Sequence, residues 1–333
     1  MNAVLLIGYG GPTNPSEIRP FLEGIARGRP VSAERLANVE SQYHAVGGRS
    51  PFNALTFAQA AALEHRLAGD GLPLPVYVGM RSWRPFLHET LARMRVDGIR
   101  RAVGIVLAPQ RSEESWDRYV RAAEAARVEG LPELRYVEPW HDRPEFVTAQ
   151  VDRIREATGH QPGAWPASSA LIFSAHSIPT RLAEACQYRE EVGAGAKAVA
   201  DRLGAPAWTV AYQSRSGDPN TPWLEPDVND AVRDLASRGL AEVVFVPIGF
   251  VCDNVEVLYD LGIQACATAR ECGIRPVPAS TVGEHPAFIG LLATLVRSRL
   301  AGWGSAETAC ARGGSSAASL ATEVSQHVVD RAG

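Results

Sequence analysis

His176 and Glu256 are the residues whose placement most invites chemistry. A buried-strand pattern at 170–174 (ALIFS) ends in Ala175-His176-Ser177-Ile178-Pro179, and another at 243–248 (VVFVPI) is followed by Asp253, Asn254 and Glu256. Both are continuous apolar runs too short for a free-standing helix, the mark of parallel strands covered on both faces. Ligands of open α/β sheets bind outside the carboxyl ends of strands, so an imidazole at one exit and acids at another define a candidate site. A neutral imidazole ligates a borderline divalent metal and also takes a proton near pH 7. On spacing alone His176 could equally do no more than cap a loop. Between the two lie residues 212–218 (YQSRSGD) and 222–226 (PWLEP), a strand exit and polar loop able to line a cleft or simply to hold a turn.

The elements that must position these groups alternate along the chain. Strand patterns at 3–7, 75–80, 103–108 and 134–137 are separated by helical stretches near 85–96 and 115–128, with another helix at 145–158. Residues 16–22 and 30–66 also read as helical, the latter broken at 47–53 (GGRSPFN). After a Gly-, Pro- and Ser-rich linker at 159–169, strands at 170–174, 208–213, 242–248 and 275–278 repeat the rhythm. The expectation is an α/β protein of two Rossmann-like domains, each a parallel sheet flanked by helices, with a cleft between them. The division is residues 1–158, residues 159–300, and a small-residue-rich tail at 301–333 that is loosely ordered. Other histidines, such as His65 and His88, read as surface residues.

Composition excludes several functions. A chain of 333 residues is long enough for two cores, and its net charge of −4 gives no electrostatic case for nucleic acid. All but one of its 33 basic residues are arginine, which suits carboxylate ligands because the guanidinium fork pairs bidentately. Residues 8–12 (GYGGP) lack phosphate-loop spacing, and the only lysine, Lys197, follows no Walker loop. Five cysteines without a C-x-x-C pair argue for reduced thiols. With no signal peptide and no apolar run long enough to span a membrane, a cytoplasmic location is expected.

Four segments carry a resemblance. LIFSAHSIP (171–179), YQSRSG (212–217), PWLEPDV (222–228) and VPIGFVCDNVEVLYD (246–260) resemble, in order and spacing, the strongest motifs of the ferrochelatases, and the similarity extends over residues 3–300. That family inserts Fe²⁺ into a porphyrin held between two Rossmann-like domains. The resemblance implies that His176 ligates the metal or accepts a pyrrole proton and that Glu256 faces it across the cleft. The start LLIGYGGP is similar to the branch of Gram-positive and related bacteria, which uses coproporphyrin III, with four propionates, rather than protoporphyrin IX, with two. In that branch the tyrosine matching Tyr9 lies on the opposite face of the ring and can ligate iron in the product. Residues 24–40 correspond to the cleft lip, here polar and carrying Arg27 and Arg29, while Ser50 and Tyr119 match propionate contacts.

The chain also departs from the pattern. The usual D-H-x-E is Asp253-Asn254-Val255-Glu256, an acid eight residues beyond Glu256 is replaced by Gln264, and Asp260 remains. The residues at 187–190 (QYRE) replace a more usual G-D-P-Y. Relatives with a [2Fe–2S] cluster use one internal cysteine and three near the C-terminus; here Trp116 takes the internal place and the tail offers only Cys310, so no cluster is expected. The resemblance implies coproporphyrin III and ferrous iron as substrates, and a monomer in at most transient contact with other enzymes of haem synthesis. The alternatives are a protoporphyrin IX ferrochelatase, and a haem or porphyrin carrier that kept the fold without turnover. A cobalt or nickel chelatase fits less well, because such relatives usually have a second histidine where Glu256 stands and lack the PWLEPDV loop.

Overall fold

A computed structural model describes residues 1–27, 31–161, 163–216 and 220–312, with backbone alone at 302 and 304–312. The apolar runs form two four-stranded sheets, both entirely parallel. The first takes β1 (Asn2–Gly8), β2 (Val76–Met80), β3 (Arg101–Val106) and β4 (Glu133–Tyr136) in the order β2-β1-β3-β4. The second takes β5 (Ser169–His176), β6 (Trp208–Gln213), β7 (Glu242–Val246) and β8 (Arg275–Pro278) in the order β6-β5-β7-β8. The two halves therefore share one strand order. Residues 3–7 of β1 and 170–175 of β5 are essentially inaccessible to water, as parallel strands covered on both faces should be.

In each sheet the chain leaves the central strand toward one edge and returns to build the other. This reversal opens a crevice at the carboxyl ends of β1 and β3, and a second at those of β5 and β7. The helices α1 (Ile18–Ala26) and α2 (Ala33–Ala45) follow β1 and form the lip. Ile18, Phe21, Leu22 and Tyr43 are buried together, and Val255, from the segment after β7, packs on them. The lip thus closes on the second sheet's crevice through apolar contact.

Helix α3 (Phe52–Gly69) holds the halves together. Gln59 Nε2 donates to the carbonyls of Val251 at 3.0 Å and Gly283 at 2.9 Å. Helices α4 (Leu87–Val96) and α5 (Arg118–Ala125) cover the first sheet, α5 following a π-helical turn at Glu113–Asp117. Helix α6 (Pro144–Thr158) packs both on the second sheet and on the last helix. The second half carries α7 (Thr180–Glu184), α8 (Tyr188–Leu203), α9 (Val228–Ser237) and α10 (Cys266–Glu271). The last helix, α11 (Pro286–Arg312), returns to pack on α3 and α6.

One sequence expectation changes. Helix α11 continues past residue 300 to Arg312, because Trp303 is buried, donates to Glu133 at 3.1 Å, and has Arg135 4.6 Å above its ring. The first twelve residues of the expected loose tail are thus helical; residues 313–333 lie outside the described residues. After Glu256 the chain forms a π-helix at Val257–Ala265 that leads into α10.

Candidate active site

His176 is the last residue of β5, and Glu256 stands in the helical turn that follows β7. The two groups thus emerge from the strands that flank the second crevice. His176 Nε2 lies 3.6 Å from Glu256 Oε1, and each side chain keeps about a third of its surface exposed. The other ring nitrogen, Nδ1, lies 2.5 Å from the Ser177 carbonyl oxygen. A carbonyl only accepts, so Nδ1 carries a proton there, and Nε2 is the nitrogen that faces Glu256 and the cleft. Tyr188, at the start of α8, donates to the His176 carbonyl at 3.0 Å and fixes the strand end from behind.

A polar chain organises the Glu256 side. Gln213, buried at the end of β6, accepts from the Ser174 hydroxyl and donates through Nε2 to the Glu256 carbonyl at 3.0 Å. Asn254 caps the helix: its Oδ1 accepts from the Val257 N–H at 2.9 Å. The departure from D-H-x-E therefore supplies a helix cap in this chain. In the π-helix, i→i+5 bonding brings residues four apart nearly into line, so Asp260 follows Glu256 along one row. Burial pushes the Asp260 carboxyl up to about 6, and the charge of Glu256 adds to the rise, against a hydrogen bond from the Ser214 hydroxyl and the nearby His176. Ser214 reaches that carboxylate from a left-handed backbone conformation, φ 62°, that non-glycine residues rarely adopt. Gln264, next in the row, is exposed.

The first sheet contributes phenols. Tyr9 directly follows β1, its ring edge against Phe21 at 6.2 Å between centroids. Tyr119, on α5 after β3, stands beside Arg81, which follows β2 and approaches both tyrosine rings. Burial pushes the Tyr43 phenol up, with the charge of Glu256 adding to the effect; Tyr119 rises for the same first reason, opposed by Arg81. Both tyrosines respond to Tyr9 as well as to Glu256, so the walls from the two sheets share one electrostatic environment.

Other sequence candidates fall elsewhere. Ser50 is buried; its hydroxyl accepts from the Phe52 N–H at 3.3 Å, and it packs where a side chain on Gly11 would collide. Arg27 is exposed at the end of α1, while Arg29 lies outside the described residues. Trp116 is buried, donating to the Val137 carbonyl at 3.2 Å. Sequence reasoning missed Arg81 and the bridging role of Gln213. The signal available for both was their place at strand exits.

Among the described residues, no three His, Cys, Asp or Glu side chains converge as a metal cage. His176 and Glu256 alone leave most coordination positions open, which suits an ion handed on to other donors better than a resident one. An imidazole and a carboxylate thus stand together at paired strand exits, with tyrosines of the first half nearby. A family model for ferrochelatase matches residues 1–300. The chain belongs to the ferrochelatase family. It is 38% identical over 303 residues to a "Ferrochelatase" of Rhodopirellula baltica, covering 90% of this chain and 86% of the relative. It is also 38% identical over 308 residues to a "Coproporphyrin III ferrochelatase" of Mycolicibacterium vanbaalenii, covering 89% of each. Among solved structures, SirB from Bacillus subtilis, determined with Fe³⁺, superposes with a TM-score of 0.52 at 12% identity, over 90% of this chain and 95% of that one. At that identity the likeness speaks for the chelatase fold alone.

Proposed function

We propose that this ferrochelatase inserts Fe²⁺ into coproporphyrin III to give coprohaem, a step of haem synthesis. The observation that carries the reading is His176 Nε2, held 3.6 Å from Glu256 in the cleft while Nδ1 is engaged by the Ser177 carbonyl. Relatives named coproporphyrin III ferrochelatase, at 36–39% identity over most of the chain, support the choice of porphyrin.

Metallation exchanges two pyrrole protons for one dication. In this reading His176 Nε2 accepts a pyrrole proton or ligates the arriving iron, and Glu256 supplies the adjacent negative charge. Asp260 extends that charge along the π-helix once it ionises, near pH 6. Tyr9, from the other sheet, offers a phenol oxygen to the opposite face of the ring, and Tyr119, Ser50, Arg27 and Arg29 meet propionates. Ser50 would have to exchange its present bond to Phe52 for that contact. The enzyme acts as a cytoplasmic monomer without a [2Fe–2S] cluster. In support, no described helix is long and apolar enough to cross a membrane, and Trp116 fills the internal cysteine position.

The test is anaerobic metallation by purified protein, with Fe²⁺ and each porphyrin supplied separately. Multiple turnovers with coproporphyrin III and slower conversion of protoporphyrin IX are expected. Preference for protoporphyrin IX would overturn the substrate, and tight porphyrin binding without turnover would replace the enzyme by a carrier.

A further inference from the structure

One guanidinium beside Tyr9 and Tyr119 has no acidic partner among the described residues. The Arg81 N–H donates to the Gly8 carbonyl at 2.9 Å, so the pairing of β1 with β2 fixes where its side chain starts. Its Cζ lies 5.1 Å from the Tyr9 ring centroid and 5.4 Å from that of Tyr119. Its Nε is buried without a hydrogen-bond partner. Other arginines of the same half are paired: Arg66 with Asp70 at 3.0 Å, Arg84 with Glu89 at 2.6 Å and Arg93 with Asp97 at 2.9 Å. Among the described residues Arg81 enters no such pair.

Two aromatic rings stabilise the guanidinium, and a hydrogen bond joins it to Tyr119, but the buried Nε–H is left unspent. Nε–H and the neighbouring Nη–H form a fork that binds carboxylates bidentately. A partly buried cation without a counter-charge is costly, and an anionic ligand would offset that cost. The Tyr119 hydroxyl beside it offers a further polar contact to the same ligand.

A flat tetrapyrrole seated in a cleft directs some substituents to the mouth, where water and the lip arginines can solvate them. A substituent directed inward meets only what the walls provide. We propose that Arg81 is the inward carboxylate anchor, binding a propionate that coproporphyrin III carries where protoporphyrin IX has a vinyl group, and so determines specificity between them. The proposal rests on the reading of this cleft as a porphyrin site.

The experiment compares wild type, Arg81→Met and Arg81→Lys. Dissociation constants come from porphyrin fluorescence, and kcat and KM from metallation of both porphyrins. In Arg81→Met, Kd and KM for coproporphyrin III should rise by about tenfold or more, from loss of charge-assisted hydrogen bonds, with little change in kcat or in the protoporphyrin IX constants. Arg81→Lys keeps charge and size but loses the fork, and should weaken coproporphyrin III alone to an intermediate degree. It carries the test if the Met variant fails to fold. Equal losses for both porphyrins, no loss for either, or a fall in kcat at unchanged KM would overturn the proposal. Failure of wild type to metallate either porphyrin would instead remove the proposed activity. Arg81-dependent selectivity in binding would still stand on its own.

Discussion

The side-chain amide of Gln213 donates to the backbone carbonyl of Glu256 at 3.0 Å while its oxygen accepts from the Ser174 hydroxyl. One residue of β6 thereby ties the strand that ends in His176 to the turn that carries Glu256, and sets the separation of the two. Gln213→Leu is nearly isosteric but leaves a buried hydroxyl and a carbonyl without partners, at about 1–3 kcal/mol each. Denaturant unfolding should show that loss. Metallation by the fraction still folded should fall as well, whereas a purely structural bridge would leave it unchanged.

Asn254 serves as a helix cap, so its removal should be felt in stability before activity. Asn254→Ala is expected to cost about 1 kcal/mol, read from the unfolding midpoint, and Asn254→Asp should retain most of that stability. If Asn254→Ala abolished turnover at full stability, the residue would belong to the chemistry instead.

Asp260 gives a pH dependence whose sign can be worked out. Its carboxyl, raised to about 6 first by burial and then by Glu256, holds its proton in the folded chain across a range where the unfolded chain, at the ordinary 3.8, has lost it. Stability contributed at this site therefore falls as pH rises from about 4 to 6. Asp260→Asn should gain stability relative to wild type over that window, by up to about 3 kcal/mol before solvent screening. It should also lose an inflection near pH 6 in kcat/KM. An unchanged pH profile would remove Asp260 from the proposed charge row.

Much of this was legible in the sequence for a physical reason. Parallel strands buried on both faces read as continuous apolar runs, so ALIFS and VVFVP located both strand exits and, with them, His176 and Glu256. What stayed hidden depends on contacts distant in the chain. The π-helix has no sequence period of its own to distinguish it over nine residues. Gln213 is an ordinary amide until Ser174 and Glu256 stand on either side of it. Arg81 is one of many arginines until the fold sets Tyr9 and Tyr119 against it and, among the described residues, no acid. Helix α11 outlasts its small-residue composition because Trp303 finds Arg101, Arg135 and Glu133, residues far earlier in the chain.

The most direct test of the account is the single-turnover rate at which Fe²⁺ enters coproporphyrin III already bound to wild type and to His176→Ala. Loss of a group that transfers the proton or ligates the metal should lower the rate by about 10²–10⁴-fold, with porphyrin affinity nearly unchanged. A His176→Ala enzyme that metallates bound coproporphyrin at the wild-type rate would contradict the role given to Nε2 and to its pairing with Glu256.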